Sequence, residues 1–275
     1  MTRQVVFIAR DTCFSAQSVE KDRAIYQAVA QRLAQRGYEV TRITEDADAA
    51  ALRQLGTPHD VLWLTMGRHR ATLDYLRSQE QQGMRVVNST QGVWLCQQRD
   101  RLEALMRSNG IPAPPLPGDD MPAEGVWVKR ADSTSQGPDD VVFAANREQR
   151  ELALNRFRQR GITQVVVGTH VRGDVVKFYG VQPGGFFRTF YPTDDGDTKY
   201  GDERRNGPAR HYAYDAQRLQ TEAQRLSALT GVTVYGGDAI IRSDGSFCII
   251  DFNDWPSFAR CRDEAAEAIA LSIEH

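Results

Sequence analysis

The chain has 275 residues, 41% apolar and 25% charged, with 34 Lys and Arg against 36 Asp and Glu and a net charge of -2. This balance leaves no basic footprint for nucleic acid, and no run approaches the roughly 18 consecutive apolar residues of a membrane span. The opening MTRQVVFIARD holds only a strand-length apolar run, so a secretory leader is not expected and a cytoplasmic enzyme or binding protein is.

At this length two or three lobes are expected. Cys13, Cys96, Cys248 and Cys261 are far apart in sequence and lack paired metal-ligand spacing, so reduced, mostly packing cysteines are the expectation. Cys13, in RDTCFS, could serve as a loop nucleophile, but no helper residue is identifiable beside it. The basic residues are nearly all Arg. Only Lys21, Lys129, Lys177 and Lys199 are lysine, which suits positions that need a compact ammonium rather than a planar fork.

In chain order, QVVFIAR reads as a buried strand and residues 21–37 as an amphipathic helix closed by Gly37. YEVTRI, a helix around 46–56, DVLWLTM, a helix over 68–82 and MRVVN continue the alternation. Residues 1–88 are therefore expected to form a mainly parallel α/β lobe. A helix then runs to Gly110, and Pro112, Pro114, Pro115, Pro117 and Pro122 stiffen the segment after it, so 89–122 reads as helix and linker.

Beyond it the pattern changes. GVWVKRA, a polar loop, DVVFAA and a helix opened by Asn146 with Gln149 three residues on form a small α+β lobe over 123–163. The last lobe, 164–275, is read as TQVVVGTHV paired in a hairpin with GDVVKFYGVQ through Arg172-Gly173-Asp174. It continues with GFFRTFY, a polar loop, a helix over 214–230, a second hairpin and a helix over 260–274.

That second hairpin, GGDAIIRSDGSFCIIDFNDWPSF, carries acids on apolar strands. With Asp244-Gly245 as a two-residue turn, 243 pairs with 246 and Asp238 falls opposite Asp251. Their Cβ atoms would then lie about 4.5–5.5 Å apart, and Asn253 points the same way. Two adjacent anions call for a cation, and an all-oxygen set favours magnesium or manganese over zinc. The alternative is a solvent-facing strand side on which two acids meet.

These residues resemble the ATP-grasp superfamily. An acid, a second acid thirteen residues on, an Asn two beyond and then a proline match the magnesium ligands of D-alanine:D-alanine ligases in Asp238, Asp251, Asn253 and Pro256. VVN ending at Asn88, Gly110-Ile111-Pro112, the strand lysine of VWVKR and the Lys-Tyr of GDTKYG are similar to the same enzymes. VVKFYGV resembles inositol trisphosphate kinases and ribosomal-protein glutamate ligases. The resemblance implies an α/β and α+β ATP-grasp fold, with an N-terminal Rossmann-like lobe and two α+β lobes enclosing the nucleotide.

It also implies ATP and two magnesium ions, manganese being an allowed substitute. Metal ligands would be Asp238, Asp251 and Asn253. Nucleotide contacts would be Arg99, Lys129, Ser133, Ser135, Gly137, the backbone of Val167, Thr169 and His170, Asp174 for the ribose, and Lys177. Lys177, Lys199 and Arg205 would act in catalysis, and Lys199, Tyr200, Arg204, Arg205, Arg210, Trp255 and Ser257 would meet an anionic small-molecule or peptide substrate. The chain departs from the pattern at Arg99, where a lysine is usual, in the glycine-poor loop DSTSQGPDD, and in DWPSF after Asn253. A carboxylate–amine or carboxylate–thiol ligase working through an acyl phosphate is the implied activity. A small-molecule kinase or a non-catalytic nucleotide-binding protein are the alternatives, and a homodimer is compatible with each.

Overall fold

Each face of the first sheet is covered by a helix layer, which is why its strands read as unbroken apolar runs rather than alternating ones. The computed structural model describes residues 3–15, 18–55, 61–132, 137–194 and 205–274. Within them β1 (Arg3–Ala9), β2 (Tyr38–Thr44), β3 (Val61–Thr65) and β4 (Val86–Val87) form a parallel sheet in the order β2-β1-β3-β4. Val5 and Phe7 of β1 pack against Ile25, Val29 and Leu33 of α1 (Val19–Gln35). Val6 and Ile8 face the other way, onto Leu52 of α2 (Ala50–Gln54) and Leu76 of α3 (Arg70–Gln81).

Two helices follow instead of the expected one: α4 (Thr90–Gln97) and α5 (Arg99–Ser108). The break falls at Gln98, which leaves helical geometry at ψ 82°. The N–H of Arg99 donates to Ala131 O instead of continuing α4, so the bend carries Arg99 to the end of the next lobe's strand.

The small sheet has the order β6-β5-β7, from β5 (Val126–Arg130), β6 (Val141–Ala144) and β7 (Val165–Thr169). Ala153 and Phe157 of α6 (Arg147–Gln159) cover it. The expected capping pair forms with one shift: Asn146 Oδ1 accepts from Gln149 N, and Gln149 Oε1 reaches one residue past the N-cap to accept from Ala145 N. The pairing of β7 is a correction. It runs antiparallel to β5, with Trp127 opposite Gly168, and does not form a hairpin with β8. Arg172-Gly173 is thus the passage from one sheet to the other rather than a hairpin turn. A strand's partner depends on which edge its neighbours leave open, and residue alternation does not encode that.

The large antiparallel sheet runs β11-β10-β8-β9, from β8 (Asp174–Val181), β9 (Phe186–Phe190), β10 (Val234–Ile241) and β11 (Phe247–Asp254). Beneath it α7 (Ala216–Thr230) supplies Leu219, Ala223 and Leu226 to a second core with Phe178, Tyr235 and Phe252. The last helix, α8 (Arg262–Ser272), returns to the first lobe and packs its Ala265, Ala266 and Ile269 with the α1 side chains. Asn88 joins the two ends as well: fully buried, it donates to Val234 O and accepts from Val234 N, both at 2.8 Å.

Asp238 is paired with Asp251, as expected, but by two compensating departures. The turn is one residue longer than the two-residue form: Gly245 N donates to Arg242 O, Arg242 N to Ser246 O, and Gly245 takes φ +80°. That shifts Ile241 opposite Phe247, and a bulge between Asp238/Ala239 pairing restores the register. A bulge lets two consecutive side chains turn to one face, and Ile250 and Asp251 both line the same cavity.

The hairpin's close approach depends on Gly237. A Cβ there would sit 2.3 Å from Asp251 O and 2.4 Å from the Phe178 ring. Gly237→Ala is expected to lose about 1–3 kcal/mol by overpacking, read in urea unfolding. The backbone that must move carries Asp251, so the Asp238–Asp251 pairing should be disturbed with it.

Candidate active site

Two cavities meet at the hairpin. The first, of about 200 Å³, lies between the small and large sheets and is lined by residues that include Lys129, Trp127, Thr169, His170, Ile240 and Ile250. The second, of about 350 Å³, lies between the first lobe and the large sheet. Arg99, Lys177, Asp238 and Asp251 line both, so they form the wall through which the chambers communicate.

Each side chain of that wall has a traceable origin. Lys177 sits directly opposite Asp238 across the β8–β10 ladder, and its Nζ donates to Asp238 Oδ1 at 3.0 Å. Asn253 Nδ2 donates to Asp251 Oδ2 at 2.9 Å. Lys129, on β5, reaches across to donate to Ile250 O at 3.3 Å. Burial pushes the Asp251 carboxyl up, but the charges of Arg99 and Lys129, the Asn253 amide and Lys177 outweigh it and hold it below the ordinary aspartate range. Burial and Arg99 together lower the Lys129 ammonium. The wall therefore contains an ionised carboxylate and a second carboxylate paired to a lysine, and Asn253 adds an amide oxygen from the side of the second cavity. An all-oxygen set of this kind fits a hard divalent cation.

The expected nucleotide residues divide. Arg99, Lys129, Lys177, Thr169 and His170 line the first cavity. The backbone N–H groups of the last two are already paired, Thr169 N donating to Pro115 O and His170 N to Gly125 O. Val167 packs into the small lobe's core. Asp174 is corrected from a ribose contact to a structural one. It is buried, and its carboxylate accepts from Arg210 N at 2.8 Å and Tyr212 N at 2.9 Å. Gly137 lines neither cavity, its carbonyl accepting from Asp140 N. Ser133 and Ser135 lie outside the described residues.

Among expected substrate and catalytic residues, Ser257 lines the second cavity. The Trp255 indole is fully buried and packs on Phe7 at 5.4 Å, and Trp255 is also among the residues lining the second cavity. Arg205 is placed on the small lobe, its guanidinium 3.5 Å from the centre of the Phe143 ring, rather than at the shared wall. Arg210 is exposed and donates to Tyr212 Oη. Lys199, Tyr200 and Arg204 lie outside the described residues.

Several residues of the second cavity escaped the sequence reading. Arg10 follows β1 and Arg68 follows β3, and both grip the buried Asp254 at the end of β11: Arg68 Nη2 to Oδ1 at 2.7 Å, Arg10 Nη2 to Oδ2 at 3.4 Å. Arg10 also meets Asp22 at 3.2 Å. Lys21, Tyr179 and Arg260 also line it, and burial raises the Tyr179 hydroxyl to about 12. A signal did exist, since in α/β sheets binding groups gather beyond the carboxyl ends of the strands. Arg10 and Arg68 are the charges just past VVFIA and VLWLT.

His170 gives the first cavity a pH-dependent edge. Its Nδ1 accepts from Trp127 Nε1 at 3.0 Å, which requires a neutral ring. Burial first, then Arg205 and Arg172, lower its pKa below 6.5. The unfolded chain therefore takes up this proton at higher pH than the folded one. Its contribution to stability is complete above 6.5 and is lost as pH falls through the folded value. Chemical unfolding across this range should give a steeper acid loss in the wild type than in His170→Gln, with Trp127 fluorescence following it.

No protein-family model and no curated protein matches the sequence. Solved structures do. The RimK-domain ATP-grasp protein of Sphaerobacter thermophilus superposes with TM-score 0.64 at 17% identity, covering 99% of this chain and 100% of that one. D-alanine–D-alanine ligase of Bacillus anthracis, solved with ATP, gives 0.64 at 10% identity over 98% and 96%. D-alanyl-alanine synthetase A of Vibrio cholerae gives 0.64 at 11% over 98% and 99%. This protein has the ATP-grasp fold along nearly its whole length. Among the described residues no helix is long and apolar enough to cross a membrane.

Proposed function

We propose that the chain is an ATP- and magnesium-dependent carboxylate ligase, joining an acid to an amine or a thiol. The observation that carries this reading is the wall common to the two cavities, in which Lys177, Arg99, Asp238 and Asp251 face both. A nucleotide in the first chamber and an acid in the second would meet there.

Asp238, Asp251 and Asn253 would hold magnesium, which supplies charge neutralisation for the triphosphate. Lys129, partly desolvated, offers a point charge to the inner phosphates. Lys177 and Arg99 face the position where charge accumulates as a carboxylate oxygen forms its bond to the γ-phosphorus and the bond to the β,γ-bridging oxygen breaks, releasing ADP. The amine or thiol then attacks the acyl carbon, phosphate leaves, and the attacking group's proton passes to water. Positioning carries this chemistry, and no covalent enzyme intermediate is needed.

The second chamber favours an anion: six cationic side chains, Arg10, Lys21, Arg68, Arg99, Lys177 and Arg260, line it with four carboxylates. ADP and phosphate release that requires both an acid and an amine or thiol, in a panel of such pairs, is the expected result. A phosphorylated product formed from a hydroxyl compound alone would instead make the chain a kinase. Nucleotide binding with no ADP formed from any pair would make it a non-catalytic binding protein.

A further inference from the structure

At the rim of the second cavity, away from the hairpin, three different ligand types converge. Asp11 Oδ2 lies 2.9 Å from His69 Nε2, and Cys13 Sγ lies 3.9 Å from the same nitrogen. The three ligand atoms all fall within 4.8 Å of one another. We propose that Asp11, Cys13 and His69 form a zinc site, distinct from the magnesium site of the hairpin and independent of the ligase reading.

The geometry argues against a nucleophile relay. A Cys–His–Asp relay uses both ring nitrogens, one toward the thiol and one toward the carboxylate. Here the thiol and the carboxylate address a single nitrogen, as ligands around a common centre do. Zinc bonds of about 2.0–2.3 Å place tetrahedral ligand atoms roughly 3.3–3.8 Å apart. The observed separations of 2.9 and 3.9 Å bracket that edge, and the third lies within 4.8 Å. Thiolate, imidazole and carboxylate together select a borderline-soft cation over magnesium, and three protein ligands leave a fourth position open, as in catalytic zinc sites.

The loops that carry these ligands are held by a common buried group. Glu45, 4% exposed, accepts from the backbone N–H of Asp11 at 3.0 Å through Oε1. Through Oε2 it accepts from Arg68 N at 2.8 Å and His69 N at 3.0 Å. Gly67 permits this, since a Cβ there would sit 2.7 Å from Glu45 Oε2. Asp11 Oδ1 accepts from Cys13 N at 3.0 Å, leaving Oδ2 turned to the imidazole. The Phe14 ring lies edge-on to His69 at 4.8 Å. Arg10, Phe14 and Arg68, each beside a ligand in sequence, line the second cavity, which places the site at its mouth.

Cobalt(II) titration of chelator-treated protein under reducing, anaerobic conditions tests this, using Asp251→Asn to silence the hairpin. We expect near-stoichiometric binding with a thiolate-to-cobalt charge-transfer band and four-coordinate d–d bands, displaced by Zn²⁺. The other three cysteines are buried, and Cys13 is exposed, so Cys13→Ser should keep the melting temperature. That variant should lose the charge-transfer band and bind at least 100-fold more weakly, and His69→Gln should weaken binding to a similar degree. No charge-transfer band in the parent protein, or a band that survives Cys13→Ser, overturns the assignment. Neither result bears on ADP release.

Discussion

Asp251→Asn should reduce ADP formation by about 10³-fold or more, since a divalent ion at transferring phosphate contributes several kcal/mol of charge stabilisation and each 1.36 kcal/mol is tenfold. Asp251 lines both cavities and is the carboxylate held firmly ionised by Arg99 and Lys129. The asparagine keeps the shape and hydrogen-bonding capacity but removes the charge. Calorimetry with magnesium and AMP-PNP should show the heat of binding lost or much reduced, and a parallel melt controls for the uncompensated charges of Arg99 and Lys129. Turnover within tenfold of wild type would remove Asp251 from the reaction and the hairpin from the proposed function. Asp238→Asn should act in the same direction, with Lys177 then losing the negative charge of its 3.0 Å partner.

Asp254→Asn should cost about 3–5 kcal/mol of stability, the scale for breaking a buried ion pair by removing one partner. The Asp254 side chain is fully buried and serves two guanidiniums, both themselves only 7% exposed. Removing its charge leaves Arg10 and Arg68 facing each other with only the more distant influence of Glu45 and the single Asp22 contact to offset them. Burial and Arg68 already lower the Arg10 pKa, a sign that this crowding is costly. Because Arg10 and Arg68 belong to the first lobe and Asp254 ends β11, the loss should appear as separation of that lobe from the hairpin. Urea unfolding would record it, and adding Arg68→Met to Asp254→Asn should recover part of the loss. A shift below 1 kcal/mol would mean that solvent reaches the cluster and screens it.

Much of the candidate site was legible because its spacing is local. Asp238, Asp251 and Asn253 lie on one hairpin, so strand alternation and a turn suffice to bring them together. The reading reached the right pair through a turn one residue too short, and the bulge that repaired the register has no sequence mark of its own. Lys129 and Lys177 stood out as two of four lysines in an arginine-rich chain, and each occupies the shared wall or its edge. Asp174 was misread because a polar residue near a motif was assumed to face the ligand, and the fold instead closed it inside on backbone N–H groups.

The sequence alone determined the features set by short-range periodicity: the parallel first sheet and the acidic hairpin. Only the tertiary structure decided which sheet β7 would join, where the second cavity opens, and that Arg10, Arg68 and Asp254, separated by up to 244 residues, would share one buried ion cluster. The physical reason is that alternation and helical period specify which face of an element is buried, not which partner buries it. Partner choice is settled by the joint packing of α1, α8 and the hairpin, a property of the whole chain at once.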